Sequence, residues 1–140
     1  MPYPVVHSYA GYSLYKVSKG KDEKWSWLLT CLFILTANLA DFDFLPGILI
    51  HQPQLFHRGV SHSLGAALIC GLIAGSAIAL WKKRSFVKSF CVASAVYFSH
   101  VVLDYFWGHG PDAAMPIFWP LSSAKFISPL HHFRPWLLKL

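Results

Sequence analysis

Polar residues fall in short islands between apolar runs along this chain, and the length of the runs decides its class. Trp25 to Ala40 reads WSWLLTCLFILTANLA and continues, less cleanly, into DFDFLPGILI. Leu64 to Trp81 reads LGAALICGLIAGSAIALW, without a charge. Phe86 to Trp107 is apolar except for Lys88 near its start and His100 and Asp104 near its end. A helix crossing the hydrocarbon core needs about 20 residues, with a range of roughly 17 to 25. The second and third runs meet that length and the first comes close. Tyr3 to Tyr15 is a weaker helical stretch, too short to span unaided. The pattern predicts an all-α, multi-pass membrane bundle of three to four spanning or near-spanning helices. Gly71 and Gly75 have the spacing that lets two membrane helices approach closely.

After Gly108 the pattern changes. Pro111, Pro116, Pro120, Pro129 and Pro135 preclude a long regular helix there. The aromatic residues of this region and its closing WLLKL predict segments lying in the membrane interface, with Trp119 and Pro120 as anchors or cavity lining. No repeat, low-complexity tract or linker interrupts the chain, so residues 1–140 read as one domain with 109–140 as an irregular interfacial tail.

Composition narrows the partners. An apolar share of 55% with only 13% charged residues fits neither a disordered chain nor an average soluble domain. A net charge of +6 would suit nucleic acid, but the basic residues cluster beside the apolar runs. That is the juxtamembrane arrangement, so membrane lipid is the expected partner and nucleic acid is not. Cys31, Cys70 and Cys91 each lie inside an apolar run without a CxxC pair, and read as small packing residues. The N-terminus lacks the basic region of a signal peptide.

Charge also predicts orientation. Lys16, Lys19, Lys21 and Lys24 precede the first long run, and Lys82, Lys83, Arg84 and Lys88 surround the end of the second and the start of the third. Both clusters then share one side, which the positive-inside rule makes cytoplasmic. The loop from Asp41 to Ser63 falls on the opposite face, as do His7, near the start of the first helix, and the far end of the third, with His100 and Asp104.

These residues carry the chemistry. His100 and Asp104, in HVVLD, stand one helical turn apart on one face, where both can reach one ion. A His–Asp hydrogen bond explains the pair when it is read alone. An aspartate near the end of a spanning helix, however, usually faces a bundle interior or a wet cavity. Asp41 and Asp43 in ADFDF suit a cation or a positioned water, or else solvate a helix end before Pro46, and Asn38 one turn earlier adds a polar contact. In HRGVSHS, His57 and His62 can both aim inward if a loop turns into a helix between them, with Ser61 as the cap. Arg58 is permanently charged, so its planar fork suits a phosphate, a carboxylate or a lipid headgroup rather than a metal. His51, His109, His131 and His132 sit among prolines and glycines and are expected at the interface or in water. Nucleophile elbows, P-loops and dinucleotide fingerprints are absent.

His7 followed by Gly11, then LADFDFLP, HRGVSHS, HVVLD and FWPLS, together resemble the YdjM-type family, LexA-regulated inner-membrane proteins described as metal-dependent hydrolases. The resemblance runs from His7 to about Ser122. It implies a multi-pass inner-membrane domain and divalent-metal hydrolysis. The family's aspartate motif usually reads PDxDH, so Ala40 replaces a proline here and Phe44 stands where a histidine is common. The order His, Asp, His, HxxxD is also similar, more distantly, to the ligand order of zinc-dependent phospholipases C. That order would run through His7, Asp41 or Asp43, His62 or His57, His100 and Asp104, with the last aspartate bridging metals.

The resulting expectation is a hydrolase of a phosphoester or lipid-like substrate, with its site on the non-cytoplasmic face. One or two divalent ions, zinc by ligand type, would be held by His7, Asp43, His62, His100 and Asp104. His57 would be a ligand or orient one, Asp41 would position the water, and Arg58 would clamp the phosphate. The alternative is a protein that binds or conducts metal ions or protons without catalysis.

Overall fold

The computed structural model describes residues 4–52, 55–107 and 113–129. Helix α1, Pro4–Ser18, buries His7, Gly11 and Tyr15, one residue per turn along a single stripe. Gly11 is needed for close approach: a Cβ there would sit 2.7 Å from the Phe33 carbonyl oxygen. Helix α2, Trp27–Asn38, starts at Ser26, whose hydroxyl accepts the Leu29 N–H. Its winding does not stop at Ala40. It tightens into a 3-10 turn, Leu39–Asp43, and resumes as α3, Phe44–Leu49. The continuous stretch Trp27–Leu49 is apolar enough to span, with mean hydropathy 1.7.

Helix α4, Leu64–Lys82, and helix α5, Phe86–Trp107, are the other two spans. Gly75 lies against the Phe90 backbone, where a Cβ would come within 2.6 Å of Phe90 Cα, and Gly71 lies against Ser94. The predicted small-residue spacing thus forms the α4–α5 contact. The cap of α4 is Ser63, accepting from Ala66 N at 3.1 Å, and not Ser61. Ser61 is drawn away by the Asp43 carboxylate. The turn between α4 and α5 is closed by Lys83 in a left-handed conformation, φ 50°.

Large apolar side chains cover the outside of the spans, among them Leu68, Ile69, Leu72, Ile73 and Leu80 of α4. Such a surface suits hydrocarbon rather than water. Cys31 and Cys91 lie on this outer face, not in the packed interior, and all three cysteines are free. One interior cluster gathers Tyr15, Leu29, Phe33, Ala37, Ile78 and Val96, and a second gathers Ala40, Ala67, Tyr97, Val101 and Met115.

Glu23 of the α1–α2 loop pairs with Arg84 of the α4–α5 turn, so both basic clusters lie at one end of the bundle. At the other end, residues 113–129 fold back onto α4. The N–H groups of Leu64 and Gly65 donate to the carbonyls of Ile117 and Trp119 at 2.8 and 2.9 Å, and a bridge joins Met115 to Phe126. This part of the tail therefore satisfies the open N-terminus of a spanning helix. His109, His131, His132 and the final WLLKL lie outside the described residues, while His51 is exposed.

Candidate metal centre

The end of the bundle away from the basic clusters holds a buried group of ionisable side chains from four segments. His7 comes from α1, Asp41 and Asp43 from the 3-10 turn, His57, Arg58 and His62 from the loop before α4, and His100 and Asp104 from α5. His7, His62 and His100 are fully buried and Asp104 is 1% exposed.

The 3-10 turn places its two aspartates differently. Asp43 stands behind the loop histidines. Its Oδ1 lies 2.9 Å from His57 Nδ1, and its Oδ2 accepts from the Arg58 N–H at 3.1 Å and the Ser61 hydroxyl at 2.5 Å. The same oxygen faces His62 Nδ1 at 3.2 Å. Asp41 points the other way, its Oδ1 3.3 Å from His100 Nε2 and 3.8 Å from His62 Nε2.

Carboxylates and carbonyls only accept, so these contacts fix the histidine tautomers. His57 Nδ1 carries a proton toward Asp43, and His100 Nδ1 carries one toward the Ala37 carbonyl at 2.8 Å. Each ring then offers only its Nε2 lone pair to the interior. His57 Nε2 is buried without a hydrogen-bond partner among the described residues. His62 and His100 bring their Nε2 atoms to 3.3 Å of each other. His62 Nε2 is also 3.5 Å from Asp104 Oδ2, while Asp104 Oδ1 is 3.4 Å from His7 Nε2. His7 stacks on His100 with ring centroids 3.9 Å apart.

Lone pairs and carboxylate oxygens thus face one another across a small volume, an arrangement that is repulsive without a cation between them. Ligand atoms around a tetrahedral zinc at its usual bond lengths lie about 3.3 Å apart. The contacts of 3.3 to 3.8 Å among Asp41, His62, His100 and Asp104 match that spacing. Two overlapping sets have ligand atoms all within 4.8 Å: Asp41, His57, His62 and Asp104, and His7, Asp41 and His100. Asp41 is common to both.

Electrostatics point the same way. The group holds three carboxylates and one guanidinium, that of Arg58, whose Nε lies 3.5 Å from Asp104 Oδ2. With neutral imidazoles the group carries two negative charges, costly at this depth unless a cation is present. His62 answers by holding a proton. Burial alone would lower its pKa, but hydrogen bonds to Asp104, Asp41 and Asp43 outweigh that and raise it to about 10.

All eight expected site residues therefore meet at one end of the bundle. Two contributors were not foreseen in their present roles. Ser61 links Asp43 to His62, and its carbonyl accepts from the Tyr97 hydroxyl at 2.9 Å. The Ala37 carbonyl orients His100. The Ser61 side chain was visible in the sequence; a backbone carbonyl carries no residue-type signal at all.

Comparison with known families decides what the chain is. The model of the YdjM inner membrane protein family matches residues 4–140. The chain belongs to that family. Membership agrees with the motif resemblance and, with three spanning helices, makes this YdjM-family chain a multi-pass inner-membrane protein. No curated protein matches the chain. No solved structure matches it.

Proposed function

We propose that this YdjM-family protein is a membrane-embedded hydrolase that uses one or two zinc ions to cleave a phosphoester with an apolar body. The observation that carries the reading is the inward turn of the Nε2 atoms of His57, His62 and His100, each ring held from behind through Nδ1 by Asp43 or the Ala37 carbonyl. An acceptor on the far ring nitrogen is the usual device for orienting a metal-binding imidazole.

In this reading both aspartates take roles other than those expected from sequence. Asp41, common to both sets, is a ligand, with His7, His57, His62, His100 and Asp104. Asp43 orients His57 and His62. Arg58 pairs with Asp104 and adds a fixed positive charge that attracts an anionic substrate. A divalent ion in such a site lowers the pKa of a water and polarises a phosphoryl oxygen. The site lies at the boundary of the hydrocarbon, which suits a charged head on an apolar body.

The alternative, conduction of metal ions or protons, is disfavoured by the interior of the bundle. Between the His/Asp cluster and the basic end lie Tyr15, Leu29, Phe33, Ile78 and Val96, an apolar plug across any path. Purified protein should bind zinc and turn over bis-p-nitrophenyl phosphate, with both lost in Asp104→Ala and after chelation. Zinc binding without turnover of any phosphoester, together with metal flux into vesicles, would establish the transport reading instead.

A further inference from the structure

A groove of about 620 Å³ opens on the outer face of the bundle between α2, α4 and α5. Leu35 and Leu39 line one side, and Ala66, Cys70, Ala74 and Ala77 bring small side chains from α4. At one end it reaches Ser61, whose hydroxyl bonds Asp43 at 2.5 Å and lies 3.1 Å from His62 Nδ1. Groove and His/Asp cluster are therefore continuous through one side chain.

Its dimensions select an occupant. From Ala66 to Ala77 the groove follows α4 for about 16 Å at 1.5 Å per residue, half of a hydrocarbon core of about 30 Å. It thus covers one leaflet, from the polar end of the bundle to the bilayer middle. Its lining along that length is apolar apart from Thr36, Ser61 and Tyr97, which suits hydrocarbon. One extended hydrocarbon chain fits, and the size lies within the range of roughly 300–1,000 Å³ common for small-molecule sites.

We propose that this groove receives one acyl chain of a membrane phospholipid, entering sideways from the leaflet nearest the site and laying the lipid headgroup against the His/Asp cluster. The proposal rests on the hydrolase reading and names its substrate class. The groove sets chain selectivity, while the cluster acts on the head. Long-chain phospholipids are then preferred over soluble esters with the same phosphodiester.

The test uses the full chain in vesicles of phosphatidylethanolamine and phosphatidylglycerol, with a trace of phospholipid carrying a diazirine midway along one chain. On illumination, Ile73 and Ala74 should be labelled at least about tenfold more than Leu72, which faces lipid outside the groove at similar depth. Ala74→Phe fills the groove and should bring labelling down to the Leu72 level, with an unchanged helical circular-dichroism spectrum and melting midpoint showing that the fold is kept. Equal labelling of Ile73 and Leu72, or labelling unchanged by Ala74→Phe, overturns the proposal. Labelling needs no turnover, so the two readings fail separately. Turnover of the soluble diester with an unlabelled groove removes the acyl-chain site alone, whereas groove labelling without any hydrolysis sustains it and removes the hydrolase.

Discussion

An imidazole that gives its Nδ1 proton to a fixed acceptor has only one lone pair left, and here that arrangement recurs. Asp43 serves two of these rings and Asp41 faces the lone pairs, so substituting the two aspartates should have unequal effects. Loss of an outer partner typically lowers metal affinity by about 10- to 100-fold, whereas loss of a shared ligand removes the ion. Asp43→Asn is therefore expected to retain weakened zinc binding in a calorimetric titration, and Asp41→Asn to show none; the reverse order would restore Asp43 as the ligand. Protonation gives a second handle. His62, with its pKa raised from 6.5 to about 10, holds a proton at neutral pH when no ion is bound, facing Asp41, Asp43 and Asp104 near His100 and Arg58. Zinc needs the neutral ring, so binding must expel that proton and affinity should rise with pH, by up to about tenfold per unit. The ion-free protein behaves oppositely. A folded pKa above the unfolded one gives stability that is complete below 6.5 and is lost as pH rises through about 10. Melting curves in chelator should accordingly shift down across that window, and zinc titrations in buffers of different ionisation enthalpy should register the released proton. An affinity independent of pH would show that His62 is not a ligand.

At the scale of elements, the spans were legible because length and apolarity are one-dimensional properties. Leu64–Lys82 and Phe86–Trp107 agree closely with the runs from Leu64 and from Phe86. The spacing of Gly71 and Gly75 was equally readable, because small residues four apart share a helical face. A Cβ at residue 75 would meet backbone, which cannot rotate away. Gly75→Val should therefore lower the unfolding free energy by about 1–3 kcal/mol, measured by denaturation in detergent, with α4 and α5 separating first. An unchanged unfolding midpoint would place the helix contact elsewhere. The stretch from Leu39 to Asp43 was not legible. Two aspartates beside a proline look like a helix end, yet partners on distant segments satisfy both carboxylates and the winding continues as a 3-10 turn into α3. Mid-helix 3-10 segments often mark functional positions, and this one aims Asp41 and Asp43 at different histidines. That division of labour depends on three-dimensional direction, which spacing along the chain does not encode. The same holds for the tail, where proline content announced irregularity but not that Ile117 and Trp119 would cap α4.

For the whole molecule, the Glu23–Arg84 pair places both basic clusters at one end and the His/Asp cluster at the other, so a single orientation decides which compartment meets the site. Eight of the chain's twelve Lys and Arg residues belong to those clusters, and cationic residues near span ends resist translocation. The basic end should therefore face the cytoplasm and the site the far side of the inner membrane. Arg58 and the three aspartates of the site do not argue against this, because Arg58 is buried against Asp104, and Asp41 and Asp43 are turned onto the site histidines rather than presented as a charged loop. The native cysteines lie within spans, and replacing them with serine leaves a background for single reporters. Cysteine placed at Gln52, beyond α3, should react in intact cells with a membrane-impermeant maleimide, and cysteine at Lys83 only after the cells are opened. The opposite pattern would put the site in the cytoplasm, bring its substrate from the inner leaflet, and leave the bundle geometry unchanged. Equal reactivity at both positions would mean a mixed topology, which eight basic residues at one end, against Arg58 and Lys125 among the described residues at the other, should prevent.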